Sequence, residues 1–325
     1  MDDLNPGMIV NLNSNYSNFR FDPFTVPVVV AFFPFLYIIP TCFVIFRIIQ
    51  VYIEKGLRRN DETINKSVFL VIILSQISCL SFFLGDFFTI RLPSTGIMTS
   101  WCYEQTPNRF LTLLFTFQIL SSYPVMIYPV LLNIVRFVPI HWPLNHKEIN
   151  SKILRYSIPI IHIYPFAFTA FMFPAVGVCR QLKDPYEFGS IYIHFFGSWN
   201  DMRNAPFQLL NSFIWLIICL LSNILLYRKL RNLKVTSRCQ LHTNRSVKYQ
   251  TAEVSLTCTA TSMILAYITN LVFLGNFIID ERLGTYFAAF RPYGNDLETC
   301  VVTWIFYLTH PAFKENSGRS ERRLL

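Results

Sequence analysis

Six stretches of this 325-residue chain contain no Asp, Glu, Lys or Arg at all. They run from Pro23 to Phe46, Ser67 to Gly85, Phe110 to Val135, Tyr156 to Cys179, Asn204 to Tyr227 and Val254 to Ile279. The shortest has 19 residues, and at about 1.5 Å per residue each is long enough to cross a hydrocarbon core of about 30 Å. Lipid offers the backbone no hydrogen bonds, so such a run must be a helix that satisfies itself. Charged residues make up 14% of the chain, against about 25% in soluble proteins. The sequence therefore predicts an all-α integral membrane protein.

A seventh span is predicted near the end. After the turn signal Arg291-Pro292-Tyr293-Gly294, residues Asp296 to Phe313 read as a helix. Asn295 or Asp296 would cap it, and Glu298 would sit in its positive-ended first turn. Phe188 to Asn200 is too short to span and reads as a loop lying near the surface. Seven spans put 19 Lys and Arg on one side and 8 on the other. The positive-inside rule then places the amino terminus outside and the carboxyl terminus inside. The predicted organisation is an outer arm at 1–23, a seven-helix bundle at 24–313 and an inner tail at 314–325. Membrane orientation accounts for the net charge of +9, so no nucleic-acid partner is implied.

Asn15-Tyr16-Ser17 is a glycosylation acceptor pattern on the outer side, which makes Asn15 a candidate modification site. Of the eight cysteines, Cys102 and Cys179 fall at outer positions, ahead of helix three and at the outer end of helix four. They can form a disulfide across the outer face or remain two free thiols. Prolines inside helices one, three and four, namely Pro34, Pro40, Pro124, Pro129, Pro159, Pro165 and Pro174, are expected to kink them.

An ionisable residue inside a span is costly and marks a candidate site. Asp86 shares a helical face with Ser75, Cys79 and Phe82, so that face should point inward. It would bind a cationic ligand or an ion, or pair with Arg91. Gln118 and Ser122 on helix three, Asn211 on helix five, Asn270 on helix six and Glu298 on helix seven complete a candidate ligand set, although interhelical hydrogen bonding explains most such residues. There is no His-Glu-x-x-His, no glycine-rich phosphate loop and no Cys-x-x-Cys. No cofactor, metal or enzymatic activity is expected.

"RFVPIHWPL" at the inner end of helix three resembles the Asp-Arg-Tyr region of rhodopsin-like G-protein-coupled receptors, with Arg136, Phe137, Ile140, Pro143 and Leu144 in register. Val135 replaces the acid, so the arginine-to-acid lock of that motif is absent. "PFLYIIPT", "RLPSTGIMTSWC", "AEVSLTCTATSMILAYITN" and "RPYGNDLETCVVTWIFYLTHPAF" are similar to nematode serpentine chemoreceptors, class U above all. That resemblance implies a seven-helix plasma-membrane receptor of sensory neurons, in the cilium, that binds a small molecule and activates a heterotrimeric G protein. The resemblance puts coupling at Arg136 and the segments after it, with Ile140, Lys234 and Lys248 as candidates. A ligand-gated channel or transporter is the alternative; insect odorant receptors also have seven spans but run with the amino terminus inside.

Overall fold

A computed structural model describes residues 8–58, 65–184, 186–237, 256–259, 262–264, 267–269, 271–272, 275 and 281–314, with backbone alone at 230–237, 281–292 and 314. The principal helices are α1 (Val26–Arg58), α2 (Lys66–Ser94), α3 (Arg109–His141), α4 (His146–Thr169), α5 (Asn204–Ser237), α6 (the helical residues described between 256 and 275) and α7 (Glu281–Thr309). Among the described residues α1, α2, α3 and the Asn204–Lys229 part of α5 are long and apolar enough to cross a membrane.

Local chemistry sets the ends and breaks. Asn65 and Asn108 cap α2 and α3, their side chains accepting from the backbone N–H of Val68 at 3.3 Å and Leu111 at 3.0 Å. Pro34 has no N–H to donate, and α1 is interrupted at Phe33–Pro34 before resuming at Phe35. Phe87–Arg91 widens α2 by one π turn. α3 packs against α2, α4 and α5, and α7 against α1 and α2. The main core lies where these helices meet, around Phe69, Ile72, Tyr128, Leu132, Val135 and Phe306.

Several predicted boundaries move. α2 runs past its uncharged stretch to Ser94, with Asp86 and Arg91 paired inside it. α3 continues past Arg136 to His141, so the region expected to begin an inner loop is still helical. α4 starts ten residues before its uncharged run and ends at Thr169. Beyond Pro174, which cannot continue a helical ladder, Val-Gly-Val-Cys is extended, so Cys179 lies on a strand and not at a helix end.

α7 is the largest correction. The segment Arg291–Gly294 is helical and does not turn. Gly294 serves close packing there: a Cβ would fall 2.3 to 2.7 Å from the Thr269 side chain of α6. Asn295 and Asp296 are thus interior residues, and Glu298 lies far from the helix start, without the dipole that a first turn supplies.

At one end of the bundle strands β1 (Val176–Gln181) and β2 (Ile191–Phe196) form an antiparallel hairpin, Cys179 facing Ile193. The stretch expected to be a surface loop supplies β2, whose Ile191 and Ile193 are fully buried. Ile9 of the amino-terminal arm bridges to Arg180, and Asn108 bridges to Gly177.

Candidate functional site

The wide turn at Phe87–Arg91 determines the chemistry at the hairpin end. In a regular α-helix residues five apart point about 140° away from each other. The π turn brings Arg91 back beside Asp86, with Nε donating to Oδ2 at 2.8 Å. The same guanidinium forks onto Asp296 of α7, Nη1 to Oδ2 at 2.7 Å and Nη2 to Oδ1 at 2.8 Å. Tyr37 of α1 donates to Asp296 Oδ2 at 2.6 Å, and Gln118 of α3 donates to Asp86 Oδ1 at 2.9 Å. Thr89 donates to Gln118 Oε1 at 2.7 Å, and the Arg91 guanidinium lies over the Phe83 ring at 4.8 Å. All three charged side chains are buried. Bidentate, fully bonded charge pairs of this kind are the strong ones.

Gly85 permits this approach, because a Cβ there would lie 2.8 Å from the Gln118 Cα. Below it α2 and α7 run antiparallel as a zipper: Thr299 contacts Cys79, Thr303 donates to Gln76 Oε1 at 2.9 Å, and Phe306 and His310 pack on Phe69.

The expected ligand residues divide into groups. Asp86 pairs with Arg91 and joins Gln118 in the charged network. Ser122 belongs to a second set between α3 and α5, accepting from Gln208 Nε2 at 2.9 Å. Asn211 accepts from Tyr164 of α4 and donates to the Phe207 carbonyl at 2.8 Å. Glu298 is buried, with no hydrogen-bond partner at either carboxylate oxygen among the described residues. Asn270 lies outside the described residues. Sequence reasoning missed Tyr37, Thr89 and Gln208 as network members, and misread Asp296 as a cap; an acid two residues before another acid in an uninterrupted helix was the available signal.

The hairpin closes this end. Cys102 and Cys179 form a disulfide, with their Cα atoms 5.9 Å apart. Tyr16 of the arm stacks on Phe188 at 4.5 Å and donates to Gln181 Oε1 at 3.0 Å. Burial raises the Tyr16 phenol, so it remains a donor. Tyr186, in the hairpin loop, is pushed up to about 12 by burial and then by the nearby Asp86 charge.

At the opposite end Arg136 is buried and does not reach out as an exposed anchor would. Its Nη1 donates to the Leu256 carbonyl at 3.0 Å and its Nη2 to Thr257 Oγ1 at 2.9 Å, clasping α3 to α6. Asn150 of α4 donates to the Val135 carbonyl at 3.1 Å, and Lys55 to the Ala312 carbonyl at 2.8 Å. Ile140 is half-buried on the last turn of α3. Lys234 is on α5, described by its backbone alone, and Lys248 lies outside the described residues.

A membrane bundle of long helices, disulfide-capped at one end and clasped by an arginine at the other, has the layout of a multi-pass helical receptor. The family described as serpentine type 7TM GPCR chemoreceptor Sru matches residues 10–316. The chain belongs to that family. It is also 40% identical over 265 residues to serpentine receptor class U-26 of Caenorhabditis elegans, covering 81% of this chain and 89% of that relative.

Proposed function

We propose that the chain is a seven-helix chemosensory receptor with its amino terminus outside, which binds a small molecule in the hairpin-end half and activates a heterotrimeric G protein at the other. The domain limits are those of the sequence reading: arm 1–23, bundle 24–313, tail 314–325. The observation that carries this reading is the Arg136 clasp on Leu256 and Thr257 of α6. Ligand binding shifts the bundle toward a state in which those bonds open and the end of α6 moves away, exposing a docking cavity. Arg136 then contacts the G protein, aided by Ile140, Lys234 and Lys248. Glu298, Ser122, Asn211 and Asn270 are the proposed ligand contacts, with Asp86 and Gln118 supporting them from above. The receptor is placed in the plasma membrane of a sensory neuron, at the cilium, with a glycan on Asn15.

Second-messenger signals and membrane current recorded together across a chemical panel test the reading. Signals abolished by G-protein inactivation are expected; a current that survives it would establish a channel instead. Arg136→Ala, at equal surface expression, should abolish stimulated nucleotide exchange.

A further inference from the structure

Among the described residues three carboxylates are buried in α2 and α7: Asp86, Asp296 and Glu298. Asp86 and Asp296 share Arg91, and each of their four oxygens accepts a hydrogen bond. Glu298 stands apart. Its residue is 1% exposed, and neither Oε1 nor Oε2 has a partner among the described residues. Among the described residues the other buried cations are Lys55 and Arg136, engaged at the opposite end of the bundle, and Arg180 on β1, against Ile9 and Met8 of the arm. Cys79 of α2, Cys219 of α5 and Tyr267 of α6 all lie within electrostatic reach of Glu298. The carboxylate is therefore surrounded by the middle of the bundle, where an unmatched charge costs several kcal/mol.

We propose that Glu298 is the counter-ion for an organic ammonium group of the ligand, a protonated amine held in the centre of the bundle beneath the Asp86–Arg91–Asp296 network. This rests on the receptor reading above and names the ligand class. Glu298 lies two residues, about 3 Å, further along α7 than Asp296, and the next residue, Thr299, meets Cys79, seven residues before Asp86 on α2. The surroundings select against a metal ion. A hard cation such as calcium takes six to eight oxygen ligands, whereas the groups within electrostatic reach of Glu298 are two thiols, Cys79 and Cys219, and the Tyr267 phenol, whose O–H is donated to the Met126 carbonyl. An ammonium needs less: the carboxylate accepts one or two charge-assisted N–H bonds.

The test uses the full chain in lipid nanodiscs and a panel of aliphatic and arylalkyl primary amines, each paired with the alcohol of the same skeleton. Binding is read from the thermal unfolding midpoint over a concentration series, and nucleotide exchange is read in parallel. At least one amine should stabilise the wild type while its alcohol does not, and Glu298→Gln should weaken that amine at least about thirtyfold. Amines and alcohols that act alike, or an amine bound equally by wild type and Glu298→Gln, would overturn the inference. Should Glu298→Gln not fold, Glu298→Asp, which withdraws the carboxylate by one methylene, should still weaken the amine and leave the alcohols unchanged; unaltered amine binding would again overturn it. Neutral compounds that drive exchange equally in wild type and variant would remove the amine and leave the receptor reading standing. Amine binding lost in Glu298→Gln, without exchange on any G protein, would do the reverse.

Discussion

Removing Arg91 should be among the most damaging single changes at the hairpin end. Arg91→Gln deletes the charge that two buried carboxylates share and breaks three bonds of 2.7 to 2.8 Å. Hydrogen bonds to charged groups contribute about 1.5–3 kcal/mol each, so the gross loss is about 4.5–9 kcal/mol. Relaxation of the site and entry of water limit it. A net loss of about 3–5 kcal/mol results, the range seen when one partner of a buried pair is deleted. For a chain of this size that lowers the midpoint by on the order of 5–10 °C. The assay is the loss of monodisperse receptor on heating in nanodiscs, followed by size exclusion. Arg91→Gln combined with Asp86→Asn and Asp296→Asn removes every charge together and should recover much of the loss. A single variant within about 1 kcal/mol of wild type, or a triple variant no better than the single, would refute the reasoning.

Gly85→Ala places a methyl group 2.8 Å from the Gln118 Cα, forcing α2 from α3 at a cost of about 1–3 kcal/mol; an unchanged midpoint would show that the helices can part freely. Cys102→Ser opens a link between residues 77 apart in sequence, worth about 4.5 kcal/mol by loop closure. Its midpoint should match that of reduced wild type, and a clear difference between the two would count against the loop-closure account. Translation with microsomes should give a glycosidase-sensitive mobility shift that Asn15→Gln removes, while the same acceptor pattern at Asn65-Lys66-Ser67 and Asn244-Arg245-Ser246, expected on the inner side, remains unmodified. A full-length chain without that shift would argue against an outer amino terminus.

Apolar runs made the helices legible, because a stretch without charge has few other ways to exist in lipid. Their ends were not. Asp86 was read inside its span, but α2 also takes in Arg91 and runs on to Ser94, because the two charges, five residues apart, pair in a turn whose width the sequence does not announce. Asp296 was misread for the opposite reason: Pro292 and Gly294 look like a turn, whereas α7 uses the glycine to press against Thr269. Arg91 and Asp296 are 205 residues apart, and only tertiary packing joins them. The inward face of Ser75, Cys79, Phe82 and Asp86 was readable from period alone, and all four are buried. The Cys102–Cys179 disulfide was one of two open readings, and the hairpin that presents Cys179 lay concealed inside an uncharged run.

The contact between Tyr16 and Gln181 also orders events during synthesis. The two residues are 165 apart in sequence, and ribosomes add about 5–20 residues per second. The arm therefore emerges and waits roughly 8 to 30 s before the strand that receives it exists. Throughout that interval Tyr16 has no hairpin to bury it, and its neighbour Asn15 is presented on a free chain. Whatever modifies the arm has this window to act before the stack of Tyr16 on Phe188 anchors it, with Asn15 left exposed beside that stack.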